Sequence, residues 1–212
     1  MKAWMMSAHR LHQRFTIRLF LLLSVLTLTA CHHGEPWATK DISGLMPRLT
    51  FHLTEANRDR PVQATDYRGH ILLVYFGYTH CPDVCPLTLG RIKSVLTNLG
   101  AQAQQVDVLF VTVDPTRDKL PLLKRYTEFF GPQVWGLRGD QSELRALTKR
   151  YRVTYGYDAP DTHGNYNVSH SSAVYVFDRE GEPRLIIRPQ DSIAAITTDL
   201  KRLVAEKIPH SG

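Results

Sequence analysis

Residues 71–76 read Ile-Leu-Leu-Val-Tyr-Phe, six apolar side chains in succession. Neighbouring side chains of a strand point to opposite faces, so a strand with no polar face must be covered on both sides. That requirement selects a layered α/β architecture with this segment near the middle of its sheet. A second run, Val106 to Val113, predicts another buried strand.

The rest of the chain can be read by its hydrophobic period. Leu89, Ile92, Val95, Leu96 and Leu99 recur at helical spacing, and Gly100 supplies the stop. Leu120–Phe130 and Ser142–Tyr151 are expected as helices, separated by a short strand around Trp135. Ala173–Phe177 and Arg184–Arg188 flank the turn Asp178-Arg179-Glu180-Gly181 and predict a late β-hairpin. Ile193, Ile196, Leu200, Leu203 and Val204 close the chain as an amphipathic helix. Upstream, Leu49–Leu53 alternates as a strand and Asn57–Pro61 has turn composition. The order matches a thioredoxin-like α/β fold: a central mixed sheet flanked by helices, with a helical insertion and the late hairpin.

Residues 1–30 have a basic stretch up to Arg18, an apolar run from Leu19 to Leu28, and Ala30 just before Cys31. The apolar part is short for a membrane span of about 20 residues and reads as a secretory signal. Leu28-Thr29-Ala30-Cys31 resembles the lipobox of bacterial lipoproteins, which makes Cys31 the expected lipid anchor; an uncleaved anchor with an incidental cysteine is the alternative. The expected organisation is a signal over 1–30, a tether over 31–47 and one domain over 48–208. The domain would then sit in the bacterial envelope, outside the cytoplasmic membrane and held to a membrane through lipid. His32 and His33 fall in the tether. The chain carries a formal +6, but residues 1–30 hold Lys2, Arg10, Arg14 and Arg18 and no acid, so the remainder carries only +2. A domain so nearly neutral has no electrostatic footprint for nucleic acid.

With Cys31 assigned to lipid, Cys81 and Cys85 remain as a pair in an oxidising compartment, a disulfide by default unless reduced or metallated. They lie between a buried strand and a helix, where open α/β sheets place their ligands. Pro86 fits the first helical position, which makes Cys85 the helix cap and puts Cys81 on the loop before it. A helix N-terminus favours thiolates at both sulfurs. Their spacing alone permits either a disulfide or two ligands of one metal. A third ligand would decide, and the candidates are His52, His70, His80, His163, His170 and His210. His170 stands apart because it precedes the strand near Ala173, at the end of the loop Asp158–Ser169. Asp114 is either a residue that orients the site or the initiator of an Asp-Pro turn, and His80 is a candidate for stabilising the Cys81 thiolate.

Three stretches make the chain resemble the SCO/SenC family of copper-binding proteins. They are Tyr78-Thr79-His80-Cys81-Pro82-Asp83-Val84-Cys85-Pro86, Val113-Asp114-Pro115-Thr116-Arg117-Asp118, and His170-Ser171-Ser172 leading into Ala173-Val174-Tyr175. The agreement runs from about Leu49 to about Leu203. The resemblance implies that Cys81, Cys85 and His170 bind one copper. It also implies delivery of that copper to the dinuclear copper site of cytochrome c oxidase, or reduction of that site's cysteines, with the copper-site subunit as partner. Other copper carriers or thiol reductants are further expected partners. Two thiolates and an imidazole suit Cu(I), and with a weak further ligand Cu(II); zinc accepts the same donors, and ligand type alone does not exclude it.

Two enzymatic readings compete. A thiol-disulfide oxidoreductase would use Cys81 and Cys85, but three residues separate them rather than two. Such enzymes also carry a proline where Ser171 stands, and no proline lies between Pro160 and Pro183. A peroxiredoxin-like peroxidase shares the architecture, but the threonine spacing before Cys81 does not fit it, and Cys85 would trap the reactive thiolate.

Overall fold

The computed structural model describes residues 35–206, so the expected signal, Cys31, His32, His33 and His210 lie outside the described residues. Among the described residues ten strands and four α-helices follow one another: β1 (Lys40–Asp41), β2 (His52–Glu55), β3 (Arg60–Gln63), β4 (Ile71–Gly77), α1 (Val84–Leu99), β5 (Val106–Thr112), α2 (Leu120–Phe130), β6 (Val134–Arg138), α3 (Gln141–Arg150), β7 (Tyr155–Tyr157), β8 (Val168–His170), β9 (Val174–Phe177), β10 (Pro183–Ile187) and α4 (Ile193–Ala205). Eight strands form one mixed sheet in the order β1-β10-β9-β4-β5-β6-β2-β3. β4, β5 and β6 run parallel, with Leu73 opposite Val108 and Val108 opposite Val134, while β9 joins β4 antiparallel. This is the expected thioredoxin-like arrangement, a mixed sheet flanked by helices.

The two apolar runs sit at the centre of the sheet, and every residue of β4 and β5 is buried. α1 packs against α4 and α2 packs along β6. The helical insertion is α3, and its start is chemically specified: Asp140 accepts from the Ser142 and Glu143 N–H groups, and Glu143 accepts from the Asp140 N–H at 2.7 Å. The late hairpin is β9–β10. Gly181, at φ 79°, closes its turn by donating to Asp178 O at 2.9 Å.

Three expectations need correction. The strand expected over Leu49–Leu53 is β2, His52–Glu55, hairpinned with Arg60–Gln63, so it begins later than Leu49 and the turn ends before Pro61. Leu49 and Phe51 are nevertheless buried, so their alternation reported a buried face rather than ladder pairing. Within residues 31–47, the expected tether, the chain from Trp37 belongs to the compact domain. There Lys40 pairs with Ile186, and the buried Asp199 carboxylate accepts from Ala38 N, Thr39 N and Thr39 Oγ1 at 3.1, 2.7 and 2.7 Å. Finally, the loop expected over Asp158–Ser169 joins the strands of a separate hairpin: β7 precedes it and β8 takes its last two residues, with His170 opposite Tyr155.

Candidate metal centre

β4 brings the chain to the site at its carboxyl end. Gly77 ends that strand because a Cβ there would lie 2.7 Å from Phe110 Cε2 and 2.8 Å from the Cys85 sulfur. The approach of α1 to the sheet therefore depends on a residue with no side chain. Beyond it, Tyr78 O accepts from Cys81 N–H at 3.3 Å, and Asp83 is the N-cap of α1. Cys85 is thus the second helical residue, not the cap, and Pro86 is the third, not the first. The change is harmless to proline, since no N–H in the first helical turn has an intrahelical acceptor. Asp83 provides no side-chain cap. The Cys81 sulfur takes that place, accepting from Cys85 N–H at 3.4 Å.

The cysteine loop is tied down from behind. The buried Asp118 accepts from Thr79 N at 2.9 Å, Thr79 Oγ1 at 2.6 Å and Thr112 Oγ1 at 2.5 Å. His80 turns to this carboxylate and to Thr79 Oγ1, at 3.4 and 3.1 Å, with an exposed ring and no bond to Cys81; its expected role beside the sulfur is not what the geometry provides. Asp114 is also fully buried, but its partners are Arg117 and Tyr166, whose hydroxyl donates to it at 2.9 Å. Arg117 in turn donates to Tyr166 O at 2.9 Å, and its guanidinium lies 3.6 Å over that ring. Asp114 thereby ties Arg117 and Tyr166 together, within the long segment that ends in His170.

His170 reaches the sulfurs from that segment. Its Nε2 is 3.2 Å from Cys85 Sγ, and its ring stands edge-on to Tyr75 and Tyr78 with centroids at 6.0 and 5.8 Å. Nδ1 lies 3.0 Å from Ser171 O. A carbonyl only accepts, so Nδ1 carries the proton and the lone pair sits on Nε2, facing the sulfurs. Burial lowers the His170 pKa below that of an ordinary imidazole, which keeps the ring neutral at pH 7. One ligand atom each from Cys81, Cys85 and His170 lies within 4.8 Å of the other two, the one such group among the described residues.

The sulfurs differ from the expectation of paired thiolates. Cys85 is 0 % exposed, and burial pushes its thiol up to about 12, overriding the helix terminus. Cys81 remains partly exposed, and both cysteines are free thiols. The other described histidines stand apart. His52 is exposed on β2, His70 pairs with Asp107 at 2.8 Å, and His163 is exposed in a turn organised by Asp161. Asp118, Arg117 and Tyr166 were not singled out from the sequence. The signal available for the first two was a dense polar run, 114–118, directly behind a buried strand; nothing in the composition of 163–167 marked Tyr166.

Comparison with known proteins places the chain in a family. The SCO1/SenC family matches residues 46–205. The human mitochondrial protein SCO2 homolog is 38 % identical over 133 residues, 62 % of this chain and 50 % of that protein. An SCO2-like protein of Rickettsia typhi is 34 % identical over 168 residues, 77 % of this chain and 80 % of that protein. The chain spans about half the length of the vertebrate relatives it matches. Among solved structures, Bradyrhizobium japonicum ScoI with copper bound superposes with a TM-score of 0.67 at 35 % identity, covering 74 % of this chain and 98 % of that one. Yeast Sco1 with copper bound gives 0.70 at 27 %, covering 78 % and 92 %. The chain belongs to the SCO1/SenC family.

Proposed function

We propose that this protein is a copper carrier of the bacterial envelope, holding one copper between Cys81, Cys85 and His170 and passing it to the copper-site subunit of cytochrome c oxidase. The observation that carries the reading is the convergence of two sulfurs and a correctly tautomerised imidazole nitrogen within 4.8 Å. Two soft donors and one borderline donor favour copper, and a three-donor set leaves room for a recipient's ligand to enter before the old ones leave. Copper-bound relatives of the same fold support the choice of metal. Here copper is cargo rather than a resident catalyst. Capture displaces the Cys85 proton, and the neutral His170 accepts the metal without losing one. The exposed side of Cys81 is where a recipient thiolate can first make contact, while Cys85 and His170 hold the ion from the interior. A lipidated Cys31 would keep the domain beside the membrane that holds its client.

A second reading, thiol-disulfide exchange with the cysteines of the client site, draws on the adjacency of the two free thiols. Copper titration of the reduced protein separates the two. One copper per chain, lost with His170→Ala, is the expected result; no tight binding together with rapid reduction of a disulfide substrate would replace the carrier by an oxidoreductase.

A further inference from the structure

Large exposed apolar side chains are unevenly placed on this domain. There are five among the described residues, and three lie on α1, which carries Cys85, or on β7, which pairs with the strand that carries His170. Val84 and Leu87, 42 % and 62 % exposed, stand either side of Cys85 in the first turn of α1. Tyr157, 44 % exposed, faces Val168 two residues along from the pairing of Tyr155 with His170. Apolar residues exposed singly need no explanation, but a group drawn round one partly exposed sulfur marks a contact surface. Asp83 adds a charge to it. An acid at the N-cap ordinarily spends its carboxylate on its own helix, but here the Cys81 sulfur accepts the capping bond. The Asp83 side chain is left exposed, with no hydrogen bond or ion pair among the described residues.

We propose that Pro82, Asp83, Val84, Leu87 and Tyr157 form the surface on which the copper recipient docks, and that the recipient's ligands are rimmed by apolar side chains and by a lysine or arginine that meets Asp83. This surface presupposes the copper reading. Ligand exchange needs a recipient donor within about 2.3 Å, a metal–thiolate bond length, of an ion still held by Cys81. A recipient that close must cover the residues next to that sulfur, and Leu87 is less than one helical turn from Cys85. The ion passes without change of oxidation state: its bonds to Cys81, Cys85 and His170 break as bonds to the recipient form, and protons released by the recipient's thiols replace the metal on the vacated sulfurs. Apolar contact keeps water out during the exchange, while the acid steers the approach. The same acid repels an anionic lipid surface, which disfavours a membrane as the occupant.

Cu(I) transfer is measured from the full-length protein in detergent to the reduced, metal-free copper-site domain of the oxidase subunit. Leu87→Gln removes the apolar contact without adding charge, Leu87→Met keeps it, and Asp83→Asn removes the acid. Transfer should slow about tenfold with Leu87→Gln and keep the parental rate with Leu87→Met. Asp83→Asn should flatten the dependence of the rate on ionic strength, and an unchanged dependence overturns the cation opposite it. A small Cu(I) chelator needs no docking and should take copper from the parent and both Leu87 variants at one rate. Equal rates to the domain for parent and Leu87→Gln overturn the docking surface and leave the carrier intact. Equal slowing with the chelator also overturns it, because the effect then lies in the metal's own ligands. Self-association lost with Leu87→Gln overturns it in favour of a second copy, and a loaded parent that passes no copper to the domain overturns the recipient. A parent that binds no copper overturns the carrier reading, and the surface is then judged on exchange of the reduced protein with the disulfide of the oxidised domain. Slowing by Leu87→Gln with the domain but not with a small aromatic disulfide supports docking; equal slowing, or none, overturns it.

Discussion

The two cysteines are chemically unequal. Cys85 is buried with its thiol raised to about 12, whereas Cys81 keeps an exposed edge. An alkylating reagent should therefore modify Cys81 well before Cys85, read by mass spectrometry of a time course. Because Cys85 is protonated throughout the neutral range, copper capture must release its proton, and apparent affinity should rise about tenfold per pH unit from this group alone. His170 adds nothing to that slope above its lowered pKa. Chelator competition between about pH 6 and 8 measures the slope, and a flat profile would contradict a protonated Cys85. The same shift acts on stability with a definite sign. A thiol raised above its ordinary value of 9.0 stabilises the metal-free fold below that pH, and the contribution is lost as pH climbs toward about 12. Buried Tyr67, Tyr75 and Tyr126, all raised chiefly by desolvation, reinforce this loss. His170→Ala should lower copper affinity by at least about a hundredfold while leaving the melting temperature of the metal-free protein nearly unchanged.

Elements set the precision of the site. β4 and α1 approach so closely at Gly77 that Gly77→Ala would press a methyl group into Phe110 and the Cys85 sulfur. We expect a loss of about 1–3 kcal/mol in chemical denaturation, together with weaker copper binding because the ligand itself is displaced. The segment after β7 is held differently, by the cluster Asp114, Arg117 and Tyr166 rather than by a packed helix. Tyr166→Phe removes one bond of that mooring and leaves Asp114 short of a partner. It should weaken copper about tenfold, and Arg117→Ala more, with His170 still able to ligate. Unchanged affinity in both variants would show that β8 positions His170 unaided.

At the scale of the molecule, the amino-terminal segment is part of what holds the sheet edge. Asp199 accepts three hydrogen bonds from Ala38 and Thr39, so Asp199→Ala should cost about 2 kcal/mol and about 4–8 °C in melting temperature, with copper affinity unaltered. That coupling was invisible in the sequence, where residues 31–47 look like a polar tether, because a separation of 160 residues hides the carboxylate that pairs with Thr39. Local pattern was enough for the centre of the fold. Apolar runs at Ile71–Phe76 and Val106–Val113 can be buried only between two layers, and α1, α2, α3 and α4 announce themselves by period and by their stops. The cluster of Cys81, Cys85 and His170 that the structure brings together was legible as a candidate too, through a short cysteine spacing and a resemblance carried by three stretches of the chain. What the sequence could not decide was everything that depends on which groups meet across the fold. Helix position argued for thiolates, but the depth of Cys85 beneath β4 makes its thiol hard to ionise, since desolvation in the interior outweighs a terminal dipole. His80 is adjacent to Cys81 in sequence yet turns away to Asp118, while His170, 85 positions from Cys85, lies 3.2 Å from its sulfur. Sequence by itself determined the residue types and the alternation that builds the sheet; only the tertiary structure decided which polar groups face each other, because burial and pairing are properties of neighbours in space.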